Sequence, residues 1–163
     1  MLVEVERAAD AAEVEALFDL AFLPGREALS SYRLRDGVAP VAGLCHVARD
    51  TPGDPLAGAI RYWPVRIGGA RALLLGPVAV HPIRQGEGVG ARLIEESLSR
   101  ADGWHRVLLV GDLPYYARFG FGRLAGVTMP PPTNPDRVLG RALVPGAWDG
   151  IAGEVLRDGV HGT

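Results

Sequence analysis

The stretch "AVHPIRQGEGVGARLIEE", residues 79–96, sets three glycines at alternate positions, Gly86, Gly88 and Gly90, between a strand-like run and a helix-like run. Glycine costs conformational entropy and weakens regular structure, so three in five residues need a reason. A strand that enters a glycine turn and then a helix aims free backbone N–H groups, and the positive end of the helix dipole, at one point. That suits a phosphate. Small residues let a phosphate approach the main chain closely.

Three phosphate sites compete for the pattern. A P-loop is excluded, because no Gly-Lys-Ser/Thr is present and all 17 basic residues are arginine. The dinucleotide fingerprint fits formally, since "GEGVGA" over 86–91 reads as G-x-G-x-x-A and Asp112 follows about 20 residues on, where a ribose-binding acid is sought. Its context differs. That fingerprint belongs to the tight turn directly after a first strand, whereas here "HPIRQ" separates strand from glycines. The third is an acyl-CoA loop, and the rest of the chain bears on it.

Upstream, "LVEVERAA" alternates as a first strand, and Asp10 with Glu13 predicts a capping box for a helix over 11–22, with Val14, Leu17, Phe18 and Ala21 on its apolar face and Pro24-Gly25 as its stop. A weaker helix is expected over 26–34. Three strands in a meander follow from about 41 to 80, turned at "TPGD" and "IGGA". Within the third, Gly76-Pro77 predicts a bulge or an unpaired segment, because proline donates no ladder hydrogen bond. Past the glycines, Val89, Leu93, Ile94, Leu98 and Ala101 line one helix face, with Glu96 and Arg100 as an i,i+4 pair, and Asp102-Gly103 ends the helix. "HRVLLVGD" is a strand, parallel to the one before because a helix joins them. A short helix at "PYYARF", a strand from Phe121, the loop "MPPPTNPD" and a last strand "RVLGRALV" complete the order; no element is assigned after Gly146. The expectation is an α/β protein with a mixed sheet, a single domain over 1–163.

These features together resemble the GNAT superfamily of acyl-CoA-dependent N-acetyltransferases, whose signature V-x-P-x-x-(Q/R)-G-x-G-x-(G/A) is met by Val80, Pro82, Gln85, Gly86, Gly88 and Gly90. The resemblance implies about seven strands, splayed between the fourth and fifth, flanked by about four helices. It implies that the amides of Gln85, Gly86, Glu87, Gly88, Val89, Gly90 and Ala91 bind the pyrophosphate of acetyl-CoA, and that Val78, Ala79 and Val80 offer main-chain groups to pantetheine. "YYARFGF", residues 115–121, matches the family's Gly-Phe ending and is closest to a bacterial subgroup with a Y-Y-x-R-F-G-F motif and a proline-rich loop after it. There the tyrosine four residues before the glycine, Tyr116, is the general acid for the CoA thiolate.

Transfer from a thioester to an amine requires no protein nucleophile, only alignment, stabilisation of the carbonyl oxygen and proton management. An N–H near Val78 would serve the oxygen, and the phenol of Tyr116 the sulfur. No general base is singled out among His46, His81, Asp112 and Glu87. Tyr115 reads as a packing aromatic; Arg118 as a phosphate ligand or a helix cap; Arg84 and Arg92 flank the loop as positive potential or as solvated charges. Glu27, Tyr32, Arg33 and Arg35, with the loop around 128–137, are the acceptor-site candidates. The expected acceptor is a primary amine on a small molecule or peptide, and the rival reading is a non-catalytic acyl-CoA-binding or regulatory module.

Composition narrows the partners. A net charge of −2 supplies no general attraction for nucleic acid or anionic lipid, and no apolar run is long enough to span a bilayer. The start "MLVEVERAAD" lacks a basic and then apolar leader, so a cytoplasmic protein is expected. The lone Cys45 forms no internal disulfide, and no His/Cys/Asp/Glu cluster has metal-ligand spacing. A homodimer is left open.

Overall fold

The computed structural model describes residues 1–22 and 30–159. Among them are nine strands and three α-helices: β1 (Leu2–Val5), α1 (Ala11–Ala21), β2 (His46–Arg49), β3 (Gly58–Ile67), β4 (Ala70–Val80), α2 (Val89–Leu98), β5 (Arg106–Val110), α3 (Leu113–Tyr116), β6 (Gly122–Arg123), β7 (Val127–Thr128), β8 (Val138–Ala142) and β9 (Gly153–Arg157). Bonded neighbours run β1-β2-β3-β4-β5-β8-β6, with β9 joined to β3 and β7. The sheet is mixed: β1, β2 and β3 pair antiparallel, while β4 and β5 pair parallel across the helix that joins them. Among the described residues no helix is long and apolar enough to cross a membrane.

The chain divides into two compact units. The first takes residues 1–22, 40–62 and 76–102 of the described chain. Its core packs Val14, Leu17 and Phe18 of α1 with Val47, Leu56, Ala59 and Ala79, and α2 buries the predicted stripe of Val89, Leu93, Ile94, Leu98 and, just beyond it, Ala101. Ala21, at the end of the α1 stripe, is exposed. The expected capping box is displaced. Asp10 accepts the Arg7 N–H at 2.9 Å and the Arg49 guanidinium at 3.2 Å, whereas the Glu13 carboxylate accepts the Leu56 N–H at 2.8 Å. A buried partner on β2 outcompetes the local cap, because an arginine taken out of water needs a carboxylate. Glu96 likewise pairs with Arg92, at 3.2 Å, where Arg100 was expected.

The second unit takes residues 30–39, 63–75 and 103–159 of the described chain. Val65, Ile67, Ala72, Leu74, Leu108, Val127, Met129, Val138 and Val155 form its core. β5 pairs with β8 over five residues, Arg106 with Ala142 through Val110 with Val138. β9 stands where no element was assigned, antiparallel to β3 and parallel to β7. Of the expected helix over 26–34, residues Ser30–Leu34 form a 3-10 turn; the rest, with Pro24-Gly25 and Glu27, lies outside the described residues.

Candidate active site

The glycine stretch lies in the first unit and is built in three steps. His81 caps a 3-10 turn over Pro82–Arg84, its Nδ1 accepting the Ile83 N–H at 3.3 Å. Gln85 then runs extended, and its Nε2 donates to the Val80 carbonyl at 3.2 Å, tying the loop to the end of β4. Gly86 (φ 84°) and Gly88 (φ 80°) take the left-handed conformation, and a β-carbon at either would meet nothing within 4 Å. Backbone conformation therefore requires glycine there, and the space in front of the main chain is open. Gly88 is the N-cap of α2 and no side chain caps the helix; the first helical bond is Arg92 N–H to the Gly88 carbonyl at 3.1 Å. The N–H groups of Val89, Gly90 and Ala91 thus open the helix with the positive end of its dipole outward, which fits a pyrophosphate.

Upstream, Ala79 points into the core while Val78 and Val80 are half-buried, the alternation of a strand with one packed face. β4 is continuous through Gly76-Pro77, whose peptide is cis and whose glycine has φ 128°. The parallel ladder to β5 is only two pairs long, Leu73 with Val107 and Leu74 with Leu108, and stops before that dipeptide. The predicted interruption is thus a ladder that ends early.

Arg84 is not free to face an anion. Its Nη1 and Nη2 donate to both oxygens of Asp50 at 3.0 Å, and its Nε donates to Glu87 at 2.8 Å. Arg92 reaches Glu96 and the Met1 carbonyl.

In the second unit, α3 ends on Tyr116. Its ring meets Tyr115 edge-on at 5.0 Å and Phe121 at 6.0 Å between centroids, and lies against the backbone of Gly111. Burial, with the neighbouring Tyr115 and Asp112, pushes its phenol up to about 12, so it remains a protonated hydrogen-bond donor well into the alkaline range. Among the described residues nothing accepts its hydroxyl proton. Arg118 donates to the Tyr115 carbonyl at 3.0 Å and stacks over the Tyr115 ring, so it serves as a helix cap. A groove of about 540 Å³ along this unit is lined by Gly111, Asp112, Tyr115, Arg123, Asp136 and Arg137, among others.

A family model described as "Acetyltransferase (GNAT) domain" matches residues 42–123, a segment that holds the glycine loop, Val78 to Val80 and Tyr116. The chain belongs to the GNAT family. A GNAT family N-acetyltransferase of Escherichia coli, YhbS, solved with CoA, is 29% identical over 96% of this chain and 88% of its own, with a TM-score of 0.80. A GNAT acetyltransferase of Brucella melitensis, solved with acetyl-CoA, is 33% identical over 97% and 96%, with a TM-score of 0.72. No curated protein matches.

The residues considered as the GNAT general base scatter. His46 is 1% exposed, its Nδ1 against the Leu44 carbonyl at 2.6 Å; His81 caps a turn; Asp112 pairs with Arg137 at 2.7 Å and Glu87 with Arg84. Of the acceptor-site candidates, Arg35 is 7% exposed, its guanidinium 4.4 Å from the Tyr32 ring and 5.9 Å from that of Trp63, and Arg33 is exposed. Among the described residues no group of three or more potential ligands is placed to hold a metal ion. Three residues that touch the predicted site segments escaped the sequence reading: Asp50, which pairs with Arg84, and the strand-associated glycines Gly58 and Gly111, which lie against Val89 and Tyr116 and whose only signal was glycine beside β-formers.

Proposed function

We propose that the protein is an N-acetyltransferase that moves an acetyl group from acetyl-CoA to a primary amine of a small molecule or peptide. The observation that carries the reading is the uncapped, glycine-opened N-terminus of α2 inside the segment that matches the family. On it the amides of Gln85 to Ala91 hold the pyrophosphate, and the main chain of Val78, Ala79 and Val80, beyond the point where the ladder to β5 stops, meets pantetheine. Acetyl-CoA supplies the activated acyl group as a thioester, so the chain contributes placement and proton control. A free N–H near Val78 stabilises charge on the carbonyl oxygen. As the amine nitrogen bonds to the acetyl carbon and the carbon–sulfur bond breaks, the amine proton passes to water. Tyr116, whose phenol is protonated at neutral pH, gives its proton to the departing sulfur and regains one from solvent.

Two measurements test the proposal in order. Acetyl-CoA and CoA should each raise the melting temperature, since a ligand of the native state stabilises it; no shift at millimolar concentration would end the cofactor assignment. An amine panel followed by release of free CoA thiol should then show turnover. Binding without turnover across amino acids, polyamines and peptide N-termini would favour the non-catalytic module.

A further inference from the structure

Resting on the cofactor assignment just made, we infer that Arg84 is a positioning residue of the pyrophosphate loop, which it serves by neutralising Glu87 rather than by touching the phosphate. The loop assigned to the pyrophosphate carries a carboxylate of its own: Glu87 sits between the two left-handed glycines, Gly86 and Gly88. A free carboxylate there repels a pyrophosphate. Arg84, on the turn just before, holds it through Nε at 2.8 Å. The guanidinium in turn is fixed from its other edge by a bidentate pair with Asp50, 34 residues upstream, at 3.0 Å for both bonds. Such a fork holds the planar group in one orientation, which a single contact does not.

The three side chains form one clasp with a net charge of −1. With 23% of its side chain exposed, Arg84 is the most enclosed of the three; Asp50 and Glu87 are 53% and 47% exposed. Hydrogen bonds to Asp50 first and then Glu87 push the guanidinium pKa up from its ordinary value. The charge of the clasp can be changed one step at a time. Arg84→Gln takes the clasp to −2 and releases Glu87. Glu87→Gln takes it to zero, and the double variant returns it to −1 with no carboxylate on the loop.

CoA binding by calorimetry, on folded protein of confirmed melting temperature, tests this at low ionic strength, about 0.01 M, and at about 1 M, where the screening length falls from about 30 Å to about 3 Å. Arg84→Gln should weaken CoA binding by about three- to fivefold at low salt, the range of one exposed charge interaction. Glu87→Gln should tighten it by a similar factor, Arg84→Gln/Glu87→Gln should return close to wild type, and all three differences should shrink at high salt. Arg84→Gln with wild-type affinity would overturn the inference, as would a loss that Glu87→Gln does not rescue or that salt does not diminish. Failure of the wild-type protein to bind CoA would overturn the cofactor assignment as well, and so stands apart from those results.

Discussion

The ring of Tyr116 lies on the main chain of Gly111, so close that a β-carbon at Gly111 would stand 2.5 Å from Tyr116 Cε2 and 2.9 Å from Cδ2. No side chain fits there without moving the ring. Gly111→Ala should therefore displace the phenol while leaving the glycine loop, on a separate stretch of chain, unchanged. The expected result is a fall in kcat of about tenfold or more, a typical consequence of an ångström-scale misplacement, with CoA affinity retained. Unchanged kcat would mean that the position of the Tyr116 ring does not matter to the reaction.

Tyr116→Phe removes the proton and keeps the packing with Tyr115 and Phe121. Loss of a positioned general acid typically costs about a hundredfold or more, so kcat should fall by that order while Kd for CoA stays constant. The pH profile adds a sharper test. An ordinary tyrosine ionises near 10, but this phenol is held up to about 12, and the proposed role as general acid requires the protonated form. The ratio of wild-type to variant kcat should stay level through pH 10. A decline in that ratio centred near 10 would show an unshifted phenol.

Gly58 in β3 bears on both segments of its unit that are proposed to hold CoA. A β-carbon there would lie 2.7 Å from Val89 Cγ1, 2.9 Å from Leu93 Cδ1 and 2.9 Å from the Ala79 carbonyl oxygen. The first two contacts are with the start of α2, the third with the main chain of β4. Gly58→Ala should cost about 1–3 kcal/mol of stability, as overpacked cores do, and weaken CoA binding. Adding Val89→Ala clears one side-chain conflict but not the one with the Ala79 main chain. Stability should recover in part in urea titrations, and CoA affinity should stay below wild type; full recovery of both would show that only side-chain crowding mattered.

The sequence disclosed whatever depends on neighbours a few residues apart. The helical stripe from Val89 to Leu98, the Thr51–Asp54 turn, where the Asp54 N–H meets the Thr51 carbonyl at 3.1 Å, and the glycine loop all obey local rules. What stayed hidden depends on partners distant along the chain. Arg84 reads as positive potential until Asp50 is found beside it, and Glu13 reads as a cap until the Leu56 N–H claims it. β9 shows one core residue, Val155, between the exposed Glu154 and Leu156, too short an alternation to register as a strand. The glycine loop alone left a dinucleotide open; the ladder that stops before Gly76-Pro77 and the placement of Tyr116 at the end of α3 are what favour the acyl-transfer reading proposed above.

His46 gives the fold a pH dependence of its own. It is 1% exposed on β2, its Nδ1 meets the Leu44 carbonyl, and its Nε2 has no partner. Burial holds its pKa below the ordinary value of 6.5, so the folded protein keeps the ring neutral where the unfolded chain takes up a proton. Where the unfolded state binds more protons, stability falls with falling pH, by at most about 1.4 kcal/mol per pH unit for one group. The loss should begin as pH drops through about 6.5 and level off below the folded pKa. Urea titrations across that window should show the decline in wild type and a shallower one in His46→Gln, which cannot titrate. Equal slopes in the two proteins would place the acid sensitivity elsewhere.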